Sequence, residues 1–474
     1  MKTSRLSKRK EIYIVASIFV LVFVVMIVFF AKFINEDARD FVYNQYNSRF
    51  SVFSDDYVRG TIYSSDKKPL ATTKLDEDKK EYRDYPYERL FSHAIGYTGH
   101  GMTGLEAYYS FDLLKSHNDL QDQIDSSLSG KKILGDNIYT TLNVETQKAA
   151  YEGLGLYDGA VIAIEPDTGK VIAMVSKPDF DPNSIDVYWD NITGKDSSKS
   201  ALLNRATMGN YPPGSTFKIV STLAYLRDNN GDDSFSYNCN GEFPVDDYTI
   251  HCSSKEKHGK EDLKEAFSNS CNSAFAKIGV DLDRDVFMKT AQSLMFNENL
   301  PTQIGQTSIP EFNIDSKTSD KLLAQTAIGQ GQTVVSPLYM CMLVSAIAND
   351  GVLMEPYMVD KIVSADGQYI DENLPSQYRR IMTVKEANTL SDYMESVVQE
   401  GTARKVDFKG LKVYGKTGTA EYSDDKEMAH SWFVGYATDD NGKELAVAVI
   451  MEGAGYGSKF AAPLAAKVFD AYFN

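Results

Sequence analysis

Tyr211-Pro212-Pro213-Gly214-Ser215-Thr216-Phe217-Lys218 is the stretch on which the reading of this chain turns. Pro-Pro-Gly signals a turn, and the apolar run from Ile219 to Leu226 continues beyond it as a helix. Ser215 and Lys218 stand three residues apart at the helix opening, so their side chains share one face. An amine there can take the hydroxyl proton and leave a nucleophile. A serine so placed could also be a plain helix N-cap, and spacing alone does not decide. Ser7/Lys10, Ser65/Lys68, Ser129/Lys132 and Ser254/Lys257 repeat the spacing beside a membrane segment or in polar stretches, and read as solvated surface pairs.

Two later segments decide it. Ser270-Cys271-Asn272 and Lys416-Thr417-Gly418 follow in order, and the second occurs once in the chain. Together with Ser215 and Lys218 they match the three-part set of acyl-transfer enzymes that react with penicillin. Other stretches agree in order: Arg59-Gly60-Thr61-Ile62-Tyr63, Gly104-Leu105-Glu106, Gly159 to Glu165, Asn204-Arg205-Ala206, Thr326 to Gly331, and Gly415 to Ala420. On these residues the chain resembles the class B penicillin-binding proteins, membrane-anchored D,D-transpeptidases of bacterial cell-wall synthesis. The likeness covers most of the chain after its membrane segment.

The 474 residues suggest two domains beyond an anchor. A net charge of −17 argues against a nucleic-acid partner, which would call for a basic patch. Lys2, Arg5, Lys8, Arg9 and Lys10 precede an uncharged apolar run from Ile12 to Ala31, long enough to span a bilayer as a helix. The basic flank should stay inside and leave the motifs outside. No small-x-small cleavage pattern follows, which favours an uncleaved anchor over a signal peptide. The expected organisation is a cytoplasmic tail (1–11), an anchor (12–34), a mixed pedestal domain (35–136) and a transpeptidase domain (137–474). Lys74 to Arg89 reads as a solvated, charged loop.

The fold class expected for the last domain is α+β. Ala160–Ile164 and Val171–Val175 read as strands joined by a turn at Pro166 to Gly169, with three more strands over 412–419, 431–437 and 445–451. Helices fill the middle, and 461–473 closes the chain. This pattern gives one central five-stranded antiparallel sheet with helices on both faces plus an all-helical subdomain. The resemblance implies the same fold.

Four cysteines occur: Cys239, Cys252, Cys271 and Cys341. In an exported protein Cys239 and Cys252 are open to pairing as a disulfide or to remaining free thiols. With His251 and His258 they could also be read as zinc ligands, but the spacing fits no common finger pattern, and no metal or cofactor is expected. Cys271 reads as a small buried residue. His100 and His430 read as structural, and Trp432 and Phe433 as core.

The resemblance assigns roles residue by residue. Ser215 would be the nucleophile and Lys218 the base, its pKa lowered by burial, the helix N-terminus and the like charge of Lys416. Ser270 would relay a proton, and Asn272 would hold the substrate amide. Lys416, Thr417, Gly418 and Thr419 would line an edge strand for an extended peptide and its terminal carboxylate. Glycine at 418 would leave room for substrate to approach. The backbone N–H groups of Ser215 and Thr419 would form the oxyanion hole. Expected partners are peptidoglycan stem peptides, β-lactams and a polytopic membrane glycosyltransferase. Two rivals remain: a β-lactamase or D,D-carboxypeptidase with water as acceptor, and a non-catalytic sensor or scaffold.

Overall fold

The computed structural model describes residues 3–36, 57–118, 128–194, 200–421 and 429–474. Residues 37–56 and 119–127 of the expected pedestal therefore lie outside the described residues. The N-terminal helix runs Thr3–Glu36, and its apolar stretch Tyr13–Lys32 has a mean hydropathy of 3.2. At 1.5 Å per residue that stretch spans about 30 Å, the thickness of a hydrocarbon core. Among the described residues its apolar side chains stay exposed rather than buried in the fold, as fits a single membrane anchor.

The expected central sheet is present, in the order Val171–Lys177, Gly159–Ile164, Glu444–Met451, Ala429–Thr438, Lys412–Glu421, with every neighbour antiparallel. Both faces are covered, so the strands are apolar throughout rather than alternating. Alternation instead sorts the residues between two cores. Val161, Ala163, Val447 and Val449 face the closing helix Ala461–Phe473 and the helix Val144–Leu154. Ala160, Ile162, Ala448 and Ile450 face the other way, where the helix Pro337–Ala348 packs. That helix is apolar all round, because it lies between the sheet and the helical subdomain.

The helical side is not helices alone. Two short antiparallel ribbons interrupt it, one pairing Ser236–Cys239 with Gly259–Asp262 and one pairing Glu242–Val245 with Tyr248–His251. Their strands are four residues long and largely exposed, so no apolar periodicity announces them in the sequence.

A second sheet of six strands joins Ile62–Tyr63, Pro69–Leu75 and Glu81–Asp84 to Asn137–Thr140, Val359–Val363 and Tyr369–Glu372. It thus draws strands from both sides of residue 136. The charged stretch 74–89, expected as a loop, instead supplies the strand Glu81–Asp84. The reason is Arg83, whose side chain is only 6% exposed and bonds Glu106 Oε1 at 2.7 Å. Arg59 takes Glu106 Oε2 at 2.6 Å, and Glu106 is fully buried. Burial raises the Glu106 pKa, but the two guanidiniums outweigh it and hold the carboxyl below its ordinary value.

One anion between two buried cations makes Glu106 hard to replace. Glu106→Gln should lower unfolding stability by about 3–5 kcal/mol, because it leaves buried positive charge uncompensated. Denaturant titration against wild type measures the loss.

Candidate active site

Ser215 lies in a 3₁₀ turn, Gly214–Phe217, that runs directly into the α-helix Lys218–Asp228. Residues three apart nearly eclipse in a 3₁₀ turn, so the serine and lysine side chains meet. Lys218 Nζ is 3.2 Å from Ser215 Oγ. The same amine donates to Ser270 Oγ at 3.1 Å, to the Ser270 carbonyl at 2.7 Å and to Asn272 Oδ1 at 2.7 Å. One nitrogen therefore joins two of the three motifs.

Exposure divides these residues by task. Lys218 and Lys416 are fully buried, whereas Ser215, Ser270, Asn272 and Thr419 are half-buried and reach solvent. The lysines form a floor and the polar side chains the open face. Phe275 lies 5.3 Å from Lys218 Nζ and Phe267 lies 5.5 Å from Lys416 Nζ, ring centroid to nitrogen. Neither aromatic was anticipated. Their sequence signal is faint: each stands three residues outside the Ser270 to Asn272 motif, on the helices that flank it.

Burial pushes the Lys218 amine down to about 8, with a smaller upward pull from the sulfurs of Cys271 and Cys252 and from Glu261. Lys416 falls well below its ordinary value, from burial first and then from the charge of Lys218. Lys416 Nζ contacts the Thr417 carbonyl at 3.3 Å, and the Thr417 hydroxyl lies 2.6 Å from that of Thr402.

Ser270 holds a left-handed backbone, φ +56°, uncommon for a residue with a side chain. Hydrogen bonds from Ser270 N to Phe267 O and from Cys271 N to Ala266 O close the turn. The turn aims the Ser270 carbonyl at Lys218. Asn272 donates to the His251 carbonyl at 3.0 Å, which fixes its amide from the far side.

The nucleophile turn is clamped against the edge strand Lys412–Glu421. Trp432 Nε1 donates to the Pro212 carbonyl at 3.1 Å, and Gly214 N donates to the Gly329 carbonyl at 2.9 Å. Gly329 has φ +77°, and a Cβ there would lie 1.9 Å from the Gly214 carbonyl oxygen. The stretch Thr326 to Gly331 therefore braces the turn. Gly418 is required for a different reason from the one expected. A Cβ would point into the fold, 2.9 Å from Thr216 Cγ2 and 3.0 Å from Trp432 Cβ. The glycine lets the strand approach the nucleophile turn, not the substrate.

Tyr211 belongs to the scaffold: its hydroxyl donates to Glu452 Oε1 at 2.7 Å, which Arg205 also binds at 2.7 Å. Trp432 and Phe433 are fully buried core residues, as read from the sequence. The four cysteines are all free, so Cys239 and Cys252 form no disulfide.

Comparison with known proteins agrees with this geometry. Residues 159–470 match the penicillin binding protein transpeptidase domain, and residues 59–138 match the penicillin binding protein A dimerisation domain. The peptidoglycan D,D-transpeptidase PbpA of Mycolicibacterium smegmatis is 30% identical over 446 residues, spanning 87% of this chain and 89% of that one. A solved penicillin G acyl-enzyme complex of penicillin-binding protein A from M. tuberculosis superposes with a TM-score of 0.79 at 26% identity, covering 88% of this chain and all of that one. A D,D-transpeptidase domain from Eggerthella lenta gives 0.77 at 29% identity, covering 88% and 98%. The fold and the order of its domains are those of a serine transpeptidase with an N-terminal module. The chain belongs to the penicillin-binding protein family, in class B.

Gly418→Ala should cost about 1–3 kcal/mol by overpacking against Thr216 and Trp432. Thermal unfolding checks the stability, and the rate of benzylpenicillin acylation should fall with it as the strand is pushed from Ser215.

Proposed function

We propose that this chain is a peptidoglycan D,D-transpeptidase that cross-links stem peptides through an acyl-enzyme on Ser215 and is acylated there by β-lactams. The observation that carries the reading is the buried Lys218 amine, within reach of both Ser215 Oγ and Ser270 Oγ. Neutral Lys218 takes the Ser215 proton as Oγ attacks the penultimate D-alanine carbonyl. The backbone N–H groups of Ser215 and Thr419 receive the oxyanion. As the C–N bond breaks, the proton passes by way of Ser270 to the departing D-alanine nitrogen. An amine on a neighbouring stem then attacks the ester and gives its proton to the lysine, which passes it to the departing Ser215 Oγ and leaves both groups as they began.

Asn272 holds the donor's peptide amide, and the Thr417 and Thr419 hydroxyls suit its terminal carboxylate. Lys416 is too deeply buried to be a free surface cation, so its contribution is to the electrostatics beneath the strand. In this reading the N-terminal helix anchors the protein with its basic end inside, residues 35–136 form a pedestal, and residues 137–474 carry the chemistry outside the membrane. A polytopic glycosyltransferase that supplies glycan strands is the fitting partner.

The test is intact-mass analysis of the full-length protein in detergent after brief exposure to benzylpenicillin. Wild type should carry one lasting adduct, and Ser215→Ala none. Penicillin consumed without an adduct would indicate a hydrolase instead, and neither adduct nor turnover would indicate a scaffold.

The position of Lys218 also predicts a pH profile. Its amine titrates near 8, and only the neutral form is a base. Acylation should therefore rise about tenfold per pH unit below pH 8 and level off above it. Stopped-flow acylation across pH 6–10 reads this directly, and a flat profile would remove Lys218 as the base.

A further inference from the structure

The fold gathers three of the four cysteines and one histidine that the sequence spacing did not connect. Cys239 ends one ribbon strand, Cys252 follows another, His258 precedes a third, and Cys271 caps the helix Asn272–Asp281. Their ligand atoms all lie within 4.8 Å of one another. We propose that Cys239, Cys252, His258 and Cys271 bind a structural zinc ion that holds the Ser270 to Asn272 motif in place.

Three of the six ligand-to-ligand distances match a tetrahedral site, and the remaining pairs lie within 4.8 Å. Zinc–sulfur bonds of about 2.3 Å place neighbouring sulfurs about 3.8 Å apart, and a zinc–nitrogen bond of about 2.0 Å places nitrogen and sulfur about 3.5 Å apart. Here Cys239 Sγ and Cys252 Sγ are 3.7 Å apart, Cys252 Sγ and Cys271 Sγ 3.8 Å, and Cys239 Sγ and His258 Nδ1 3.4 Å. A sulfur–sulfur bond would need about 2.05 Å. Three thiolates and an imidazole favour zinc over harder cations, and four protein ligands close the site to water, so the ion would be structural rather than catalytic.

Two further observations point to a cation. Glu261 is only 2% exposed, its Oε2 has no hydrogen-bond partner, and that oxygen lies 3.9 Å from His258 Nδ1. A dication beside it would compensate this buried charge. Ser273 is fully buried, and its hydroxyl lies 3.0, 3.3 and 3.4 Å from the sulfurs of Cys239, Cys252 and Cys271. A hydroxyl donating to metal thiolates is the usual outer support of such a site.

The ion would supply what the ribbons lack. Few of their side chains are buried, and a two-stranded ribbon is marginal in water. One ion would tie both ribbons to the helix that starts at Asn272. Cys271 lies between Ser270 and Asn272, and His251, whose carbonyl holds the Asn272 amide, directly precedes Cys252. Loading the site displaces three thiol protons and fixes both sides of Asn272.

The experiment measures metal in the full-length protein, purified in detergent without chelator, by mass spectrometry of the elements. About one zinc per chain is expected. The ion should be retained in Cys341→Ala and Ser215→Ala, and reduced about tenfold or more in Cys239→Ser/Cys252→Ser and in His258→Ala. Cobalt chloride added to chelator-stripped wild type should give thiolate-to-cobalt absorption that the double variant lacks, a readout independent of acyl transfer. Less than about a tenth of an equivalent after incubation with zinc sulfate would overturn the site. So would a Cys239–Cys252 disulfide in peptide mapping, or equal zinc in the ligand variants. If the stripped protein acylates benzylpenicillin at the wild-type rate, the link to Asn272 fails even where the ion binds.

Discussion

The site depends on one ammonium group removed from water. Lys218 Nζ has four oxygen partners drawn from three residues, two of them more than fifty positions away in the chain. A buried lysine is tolerated only when its donors are satisfied, and one that must act as a base has to lose its proton at modest cost. Both requirements are met here. The hydrogen bonds satisfy the donors, and desolvation moves the amine to where a proton can be exchanged.

That requirement explains much of the surrounding architecture. The amine can stay dry only if the nucleophile helix, the Ser270 turn and the edge strand meet closely. Gly418 and Gly329 remove the atoms that would keep the strand and the bracing loop from the turn. Trp432 pins the turn from the sheet side. Tyr211 and Arg205 share Glu452, which ties the residues before the turn to the end of a central strand. These contacts are structural, yet each acts on where Ser215 Oγ stands relative to Lys218.

The N-terminal module follows a similar economy at another place. Arg59 and Arg83 converge on Glu106, so two segments that look separately polar become a buried junction. The zinc cluster would be a third instance, in which short and mostly exposed strands are held by ligand bonds rather than by an apolar core. In each case polar groups distant in sequence stabilise the fold because they are paired in its interior.

The order of the motifs and the central sheet were legible in the chain. Ser215, Lys218, Ser270, Asn272 and Lys416 to Thr419 stand out by motif order together with a family resemblance, and the five strands by apolar runs and turn signals. Three things were not. Lys74 to Arg89 read as solvated because charge usually is, until Glu106 gave Arg83 a buried partner. Gly418 read as room for substrate, because a sequence does not say which side of a strand is packed. Cys239, Cys252 and His258, weighed together with His251, fit no common metal spacing, and Cys271 read as a small buried residue, because only two ribbons and a helix end bring the four together. The sequence by itself determined which reactive groups exist and in what order they come. The tertiary structure alone decided which of them meet, since a convergence of distant side chains leaves no periodic trace.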